Sequence, residues 1–330
     1  MDEKTPLVSV ICLTYNHEKY IRRCLEGFLK QKTGFDYEVI VHDDASTDAT
    51  PDIVREYAEK APDIIKPILQ KENRFSRGLS IIEPVILPVL RGEYVAMCEG
   101  DDYWTDPLKL EKQVRALADH PDCRLCLHLV DNVTEQGEPM NATCPMERIQ
   151  TGMMDSRAFI GRSGDFFHLS STMYYKADLQ QYYESDPEYK RISMVGDKPL
   201  LLYLGTCGNV YYINEAMSCY RQSSVGGWTS RLVAQGEQKI CEHLCNLRDV
   251  YLSFNECTAR TYRTELNPII SEADYKAAKY AYPFRSVFQK KYKEYRVRET
   301  AKTRVRMRLR AMCPNLFPKL DSVRRNRLRR

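Results

Sequence analysis

Runs of apolar residues and stretches with helical spacing alternate along the first 130 residues of the chain. Residues 7–13 are apolar and rich in β-branched side chains, which predicts a buried strand, whereas residues 18–29 repeat apolar side chains along one helical face. Further strands are predicted at 37–41, 64–69, 94–98 and 125–130. Strands that alternate with helices through short loops predict an α/β fold, with a mostly parallel sheet and helices on both of its faces.

The pattern is less regular in other parts of the chain. Residues 78–90 predict a helix, residues 166–175 a strand, and residues 209–213 and 216–220 two further strands. A short helix is predicted to begin at Gly196-Asp197-Lys198-Pro199, and from residue 231 onward the chain is predicted to be helical. The α/β part is therefore followed by a helical extension.

Polar, acid-rich sequences follow three of the predicted strands. They are Thr14-Tyr15-Asn16-His17-Glu18, the run that begins Asp43-Asp44, and Glu99-Gly100-Asp101-Asp102. Ligands of open parallel sheets bind at the carboxyl ends of the strands, so these sequences indicate a site. The alternative is that Asp and Asn only cap helices and form turns. Paired aspartates after two different strands favour a site, because adjacent carboxylates repel and a helix cap needs one.

The pair Asp101-Asp102 has the chemistry of a divalent-cation ligand. Carboxylate oxygens after a small residue, Gly100, can hold a hard cation and leave room for phosphate oxygens. The chain contains neither GxGxxG nor GxxxxGK[ST], which makes dinucleotide oxidoreductases and P-loop ATPases improbable. The sequence therefore predicts that any nucleotide is bound through a metal, Mn or Mg.

Charge is unevenly distributed along the 330 residues. The net charge is +4, but residues 296–330 contain 13 Lys or Arg and 2 acidic residues, so the rest of the chain is acidic. This distribution argues against nucleic acid as a substrate. The first residues lack a basic leader and a cleavage site, and the 12 cysteines are scattered, so a cytoplasmic protein with reduced thiols is expected.

The motifs at the strand ends resemble those of the inverting glycosyltransferases of family 2. The resemblance rests on the runs 8–16 and 43–48, and on Gly92-Glu93-Tyr94 leading to Glu99-Gly100-Asp101-Asp102-Tyr103-Trp104. It covers roughly residues 6–228 and is strongest for bacterial enzymes that build capsular, O-antigen or other surface polysaccharides. It implies the glycosyltransferase-A (GT-A) fold.

The resemblance also implies a division of the chain. Residues 1–230 would form the GT-A catalytic domain, with the nucleotide-sugar-binding half at 1–130 and the acceptor-binding half at 131–230. A helical extension would occupy 231–295, and a basic tail 296–330.

Eight residues match the positions with which the family binds its nucleotide sugar. They are Thr14, Tyr15, Glu18, Asp43, Asp44, Arg77, Asp101 and Asp102. The resemblance places the first three around the base, has Asp44 accept a hydrogen bond from a uracil-like ring, and has Asp43 support that loop. Asp101 would face the ribose or sugar and Asp102 would ligate the metal. Arg77 matches a position near the diphosphate.

The family supplies its general base from the second half, at the start of a short helix, and Asp197 matches that position. Taken alone, Asp197 is better explained as an N-cap, and the upstream motifs favour the base. Further positions that match acceptor or phosphate contacts are Trp104, Ser171 and Arg221, and His168 could be a contact or a packing residue.

The resemblance implies inverting, metal-dependent, non-processive transfer of a sugar from a nucleotide-sugar donor to a saccharide or lipid-linked saccharide, in the hexosyltransferase class. The expected donor is UDP-linked. A processive synthase is disfavoured because no Q-x-x-R-W motif occurs. Two rival interpretations remain open, a nucleotidyltransferase on a related fold and a sugar-nucleotide-binding protein without catalysis. The first predicts a Gly-rich basic loop after the first strand, and the second predicts loss of the base or a metal ligand.

The basic tail contains one apolar stripe at helical spacing. Val305, Leu309, Met312 and Leu316 follow one another at i, i+4, i+7 and i+11, among several arginines. Such a helix could lie on an anionic membrane surface, which would make the protein peripheral on the inner face of the cytoplasmic membrane. The alternative is a solvated tail.

Overall fold

The computed structural model describes residues 5–146, 148–165, 167–222 and 228–314, and it contains the alternation that the sequence predicts. The strands are β1 Val8–Thr14, β2 Tyr37–Asp43, β3 Ile65–Leu69, β4 Tyr94–Met97, β5 Tyr103–Trp104, β6 Cys123–Val133, β7 Pro139–Cys144, β8 Gly152–Met154, β9 Met173–Tyr175 and β10 Asn209–Arg221. The helices are α1 Ile21–Leu29, α2 Thr50–Lys60, α3 Lys109–Asp119, α4 Ser156–Gly161, α5 Lys176–Ser185, α6 Glu188–Arg191, α7 Asp197–Cys207, α8 Trp228–Gln235, α9 Glu237–Cys257, α10 Arg263–Ala278, α11 Lys293–Arg298 and α12 Ala301–Met312.

One mixed sheet organises the α/β part, in the order β3-β2-β1-β4-β9-β6-β10-β5. The four strands β3, β2, β1 and β4 are mutually parallel, and β9 then lies antiparallel between β4 and β6. The parallel half has its core in apolar residues of β1, β2 and β4 and of the helices α1 and α2. The prediction of a mostly parallel sheet thus holds for the first half, and the second half is mixed.

Three predicted elements differ in the structure. The segment 78–90 contains only short turns, at Ile82–Ile86 and Leu87–Val89, because Pro84 and Pro88 lack the N–H groups that a regular helix needs. The predicted strand at 166–175 is reduced to β9 by a one-turn 3-10 helix at Leu169–Ser171. The two predicted strands at 209–220 are one strand, β10, with its register shifted by bulges against β6.

The chain divides into two compact units, residues 1–187 with 197–227, and residues 188–196 with 228–330. The second unit includes 188–196 because Tyr189 packs edge-on against Phe254, with 5.2 Å between ring centroids, and Asn246 donates its side-chain N–H to the carbonyl of Ile192. Within the described residues, no helix has the length and apolarity needed to cross a membrane.

The described part of the predicted basic tail is a packed helix. In α12, Met307 joins a core cluster with Tyr275 and Tyr292, and the buried Arg310 forms an ion pair with Glu237 of α9. Leu316, the last residue of the predicted stripe, lies outside the described residues.

The first residue of α3 is a fully buried lysine, Lys109. The Lys109 side chain is 0% exposed, its Nζ donates to Gln113 Oε1 at 2.6 Å, and it lies 4.1 Å from the Trp104 ring centroid. Burial lowers the pKa of Lys109 to about 7 because the charged amine is removed from water.

We expect Lys109→Met to be more stable than the wild-type protein at pH 7, with an advantage that shrinks as the pH rises. The folded-state pKa is lower than that of the unfolded chain, so between pH 7 and 10 the unfolded state binds more protons. Wild-type stability therefore gains up to about 1.4 kcal/mol per pH unit from this group in that window. Denaturant unfolding of both proteins at several pH values measures the difference. If the unfolding free energies of the two proteins change in parallel with pH, the pKa of Lys109 is not lowered in the folded state.

Candidate active site

The carboxyl ends of β2, β1 and β4 bring the three polar sequences to one edge of the sheet. Thr14, the last residue of β1, lies opposite Asp43 of β2, and the Glu99–Asp102 turn follows β4 on the other side of β1. A Cβ atom at Gly100 would lie 2.7 Å from Thr14 Oγ1, so only glycine permits this close approach of the two strand ends. The sequence prediction that these ends meet is confirmed.

The loops after β1 and β2 are fastened together by hydrogen bonds. The backbone N–H of Asn16 donates to Ser46 Oγ at 2.8 Å, and Asn16 Oδ1 accepts from the N–H of Thr47 at 2.8 Å. Glu18 Oε2 accepts from the N–H of Ala49 at 3.0 Å. Of the residues predicted around the base, Glu18 therefore organises the loops, whereas the Tyr15 ring is exposed at the same edge.

Asp43 and Asp44 are both buried and both hold loop backbone. Asp43 Oδ2 accepts from the N–H of Ser46 at 2.9 Å. Asp44 accepts from the N–H groups of Arg74 and Phe75, at 2.8 and 2.9 Å, one at each carboxylate oxygen. Asp44 thus shapes the 73–77 segment, which contains Arg77. Arg77 itself is exposed and forms an ion pair with Glu72.

The two aspartates of the Asp101-Asp102 pair have different environments. Asp102 is 1% exposed, and its Oδ1 accepts from the backbone N–H of Arg221 at 2.7 Å. The Asp101 carboxylate is less buried and lies 4.0 Å from His17 Nε2. Burial, followed by the neighbouring charge of Asp101, raises the pKa of Asp102 well above its ordinary value. A cation at Asp102 would oppose both effects.

Three side chains converge at Asp102 in a way that suits a divalent ion. Oxygen atoms of Glu99 and Asp102 and a ring nitrogen of His168 lie within 4.8 Å of one another. Asp102 Oδ2 is buried without a hydrogen-bond partner among the described residues, although it lies 3.3 Å from His168 Nε2. Carboxylate oxygens suit a hard divalent cation, so the acidic cluster fits a divalent metal, and the choice of Mn or Mg stays a prediction.

His168 is held in an orientation that leaves Nε2 directed at Asp102. Its Nδ1 lies 2.8 Å from Ser170 Oγ, and its ring stacks on Tyr220 with 4.2 Å between centroids. Burial lowers the pKa of His168 to about 4, so the imidazole is neutral near pH 7. The backbone N–H of Ser170 also donates to Nδ1, at 3.2 Å, so the neutral ring carries its proton on Nε2, toward Asp102, and a metal at Nε2 would have to displace that proton.

Arg221 fastens the Asp101-Asp102 turn to neighbouring backbone. Its buried guanidinium donates from Nε to the carbonyl of Asp101 at 2.9 Å and from Nη1 to the carbonyl of Glu135 at 2.5 Å. The same group lies 4.7 Å from the Tyr20 ring centroid. These contacts position the Asp101-Asp102 turn, and a phosphate contact of Arg221 stays a prediction. The Gly226-Gly227-Trp228 sequence after it lies largely outside the described residues.

Asp197 is the first residue of α7, where the sequence predicts a base or a cap. Its side chain is half-buried, and Oδ1 accepts from the N–H of Lys198 at 2.7 Å. Lys198 Nζ donates to the carbonyls of Ser163 and Asp165, which ties the start of α7 to the preceding segment. One carboxylate oxygen of Asp197 thus serves the helix start.

Two residues predicted as acceptor contacts are buried in this structure. Trp104 is 4% exposed and packs edge-on against Phe28, with 4.7 Å between centroids, because β5 turns its ring into the core. Ser171 is fully buried, and its hydroxyl donates to the carbonyl of His168 at 2.7 Å. Both side chains pack in the interior here, and their contact with an acceptor stays a prediction.

Sequence reasoning did not assign Glu99 as a ligand and left His168 open. Glu99 had a usable signal, since it lies three residues before Asp102 at the same strand end. His168 had none, because it comes from a distant turn that only the sheet topology brings beside β4.

Comparison with known proteins identifies the family of the chain. The family described as Glycosyl transferase family 2 matches residues 9–181. An uncharacterized protein of Mycobacterium tuberculosis (strain ATCC 25618 / H37Rv) is 38% identical over 227 residues, which are 68% of this chain and 61% of that protein. TuaG of Bacillus subtilis (strain 168), whose name marks it as a candidate teichuronic acid biosynthesis glycosyltransferase, is 33% identical over 136 residues, 41% of this chain and 51% of TuaG. This chain therefore spans less than two thirds of either relative.

Two solved structures resemble the fold. S. aureus TarS 1-349 in complex with UDP-GlcNAc has a TM-score of 0.53 and 19% identity, covering 92% of this chain and 88% of the TarS chain. The mannosyltransferase PcManGT from Pyrobaculum calidifontis, in complex with GDP-Man and Mn²⁺, has a TM-score of 0.54 and 17% identity, covering 97% of this chain and 84% of that chain. The predicted GT-A-like α/β fold is thereby confirmed. Since the family match extends over more than half of the residues, the chain belongs to glycosyl transferase family 2.

Proposed function

We propose that the protein is a non-processive glycosyltransferase that moves a sugar, with inversion, from a nucleotide-sugar donor to a saccharide or lipid-linked saccharide in surface polysaccharide synthesis. The observation that carries the proposal is the convergence of Glu99, Asp102 and His168. These side chains lie beside the loops that follow β1 and β2, which are joined to each other by hydrogen bonds. A group of candidate metal ligands would then lie next to the polar edge that carries the predicted donor-binding residues. The relationship to TuaG supports the polysaccharide assignment.

The donor would lie along the carboxyl ends of β1, β2 and β4. Thr14 and Tyr15 would contact the base, with Asp44 and the 73–77 segment that it holds, and Asp101 would face the ribose or sugar. Glu99, Asp102 and His168 would hold Mn or Mg, and a bound ion would offset charge on the departing diphosphate. TarS was solved with UDP-GlcNAc and PcManGT with GDP-Man, so both nucleotides belong in the test, with UDP expected.

Transfer would be a single displacement with Asp197 as the general base. The acceptor hydroxyl oxygen forms a bond to C1 of the sugar while the bond from C1 to the diphosphate oxygen breaks. The hydroxyl proton passes to the Asp197 carboxylate, and the nucleoside diphosphate leaves with the bonding electrons. Lys198 would keep the start of α7 in place, because its Nζ donates to the carbonyls of Ser163 and Asp165. The acceptor would bind in the 131–230 half, and residues 1–130 would bind the donor.

A donor-hydrolysis panel tests this function. We expect slow release of UDP from one or a few UDP-sugars with manganese, and no release in EDTA. GDP-mannose is the control donor, because it carries guanosine diphosphate in place of UDP. A nucleotidyltransferase would instead release pyrophosphate from a nucleoside triphosphate and a sugar 1-phosphate. A binding protein would retain nucleotide affinity without release, and either result would refute the proposal.

A further inference from the structure

Helix α12 presents a row of apolar side chains at its surface. Val305, Leu309 and Met312 are 55%, 49% and 74% exposed. At about 100° per residue, the three side chains fall within ~60° of arc around the helix axis. A contiguous exposed apolar row of this kind marks an interaction surface.

The opposite side of α12 fixes its rotation. Met307 and Arg310 are each 6% exposed. Arg310 pairs with Glu237 and lies 4.2 Å from the Phe284 ring centroid, and Met307 packs in the cluster of Tyr275. The helix cannot turn its apolar row inward without breaking the Arg310 ion pair and removing Met307 from that cluster.

Cations border the apolar row on both sides. The segment 301–312 contains five Lys or Arg and no Asp or Glu. Arg310 is used within the unit, and the remaining four are exposed. At helical spacing, Lys302 and Arg306 fall on one side of the row and Arg304 and Arg308 on the other.

We propose that this surface docks the protein on an anionic lipid bilayer. The surface, here named the α12 face, consists of Val305, Leu309, Met312, Lys302, Arg304, Arg306 and Arg308. An interfacial helix inserts an apolar row just below the headgroups while flanking cations meet lipid phosphates, and the α12 face has both parts in that order. A second copy would bring like charges together, and nucleic acid would leave the apolar row without a partner. An anionic bilayer is the partner that matches both the apolar row and the flanking cations.

Sedimentation of the full-length protein with vesicles tests the proposal. We expect binding to phosphatidylcholine vesicles that contain phosphatidylglycerol, little binding without it, and loss of binding at high salt. Arg304→Gln and Arg308→Gln should each weaken partitioning about 5-fold. The triple variant Val305→Ser, Leu309→Ser, Met312→Ser should lose at least tenfold. Point variants are required, because deletion of 296–330 would remove the buried Met307 and Arg310.

Matched controls come from other parts of the same unit. Val233→Ser and Leu252→Ser replace exposed apolar residues of α8 and α9, and Arg260→Gln removes an exposed cation. These variants should bind vesicles like the wild type. In a separate Leu309→Trp variant, indole fluorescence should shift to the blue only when anionic vesicles are added.

Several results would overturn the membrane assignment. One is full-length protein that ignores anionic vesicles at low salt. Another is a triple serine variant that binds vesicles normally while RNA competes for the same cations, which would indicate a polyanion surface. A third is a triple serine variant that only changes the oligomeric state, which would indicate a subunit interface. Each variant's melting temperature should equal that of the wild type, and donor hydrolysis is scored separately, so failure here leaves the transferase proposal intact.

Discussion

Asp102→Asn is expected to lower metal-dependent transfer by about 10²-fold or more, because a metal stabilises developing charge by several kcal/mol and each 1.36 kcal/mol is tenfold in rate. The amide can still accept the N–H of Arg221 through its oxygen, so the turn at Asp101 keeps its hydrogen bond. Alanine would be a poorer test, since it would leave that buried N–H without an acceptor. The change therefore removes a charged ligand and little else.

Manganese affinity gives a readout that does not depend on turnover. We expect the Asp102→Asn protein to bind Mn²⁺ at least tenfold more weakly by titration with electron paramagnetic resonance, and to lose the melting-temperature increase that Mn²⁺ gives the wild type. Asp178→Asn is the matched control, because Asp178 is also buried but bonds both side-chain oxygens to Arg124. That control should lose stability and keep Mn²⁺ affinity. Equal Mn²⁺ affinity in wild type and Asp102→Asn would remove Asp102 from the ligand set.

The edge of the sheet that carries the candidate site could be predicted because its signals are local. A β-branched run that ends in a polar sequence predicts a strand and its carboxyl end, and three such ends predict one shared edge. This reasoning places Thr14, Asp43 and Asp102 at that edge. The first half of the fold follows from the same periodicity.

The functions of individual carboxylates within that edge depend on partners far along the chain. Asp44 is engaged by backbone N–H groups at 74–75, and Asp102 by the backbone of Arg221, 119 residues away. No local pattern specifies such contacts. The same limit applies to His168, which reaches Asp102 only because β9 lies antiparallel between β4 and β6.

For helix α12, the sequence predicts the apolar row but not which side of the helix is exposed. The apolar row at Val305, Leu309 and Met312 was visible in the sequence, since helical spacing is local. Its exposure is settled by Met307 and Arg310 on the opposite face, and the Arg310 partner, Glu237, lies 73 residues earlier. A segment that composition alone describes as a charged tail is therefore packed into the second unit along one face.

Asp197→Asn is expected to lower the rate of transfer by ~10²-fold or more while donor binding changes little, as is typical when a general base is removed. Asparagine keeps the size of the side chain, and its amide oxygen can still accept the N–H of Lys198 at the start of α7. Steady-state transfer, together with UDP binding by calorimetry, measures the two effects separately. A lower kcat with unchanged UDP affinity is the signature of a base that acts on the acceptor.

The structure narrows the residues that could replace Asp197 in this role. Asp178 is fixed by two hydrogen bonds to Arg124, so it has no free oxygen directed at an acceptor. Asp165 lies 3.3 Å from Arg162 and is partly exposed, which makes Asp165→Asn the matched control. We expect Asp165→Asn to retain most activity. If Asp197→Asn turns over normally and Asp165→Asn does not, then Asp197 is only a helix cap and the proton is accepted by Asp165.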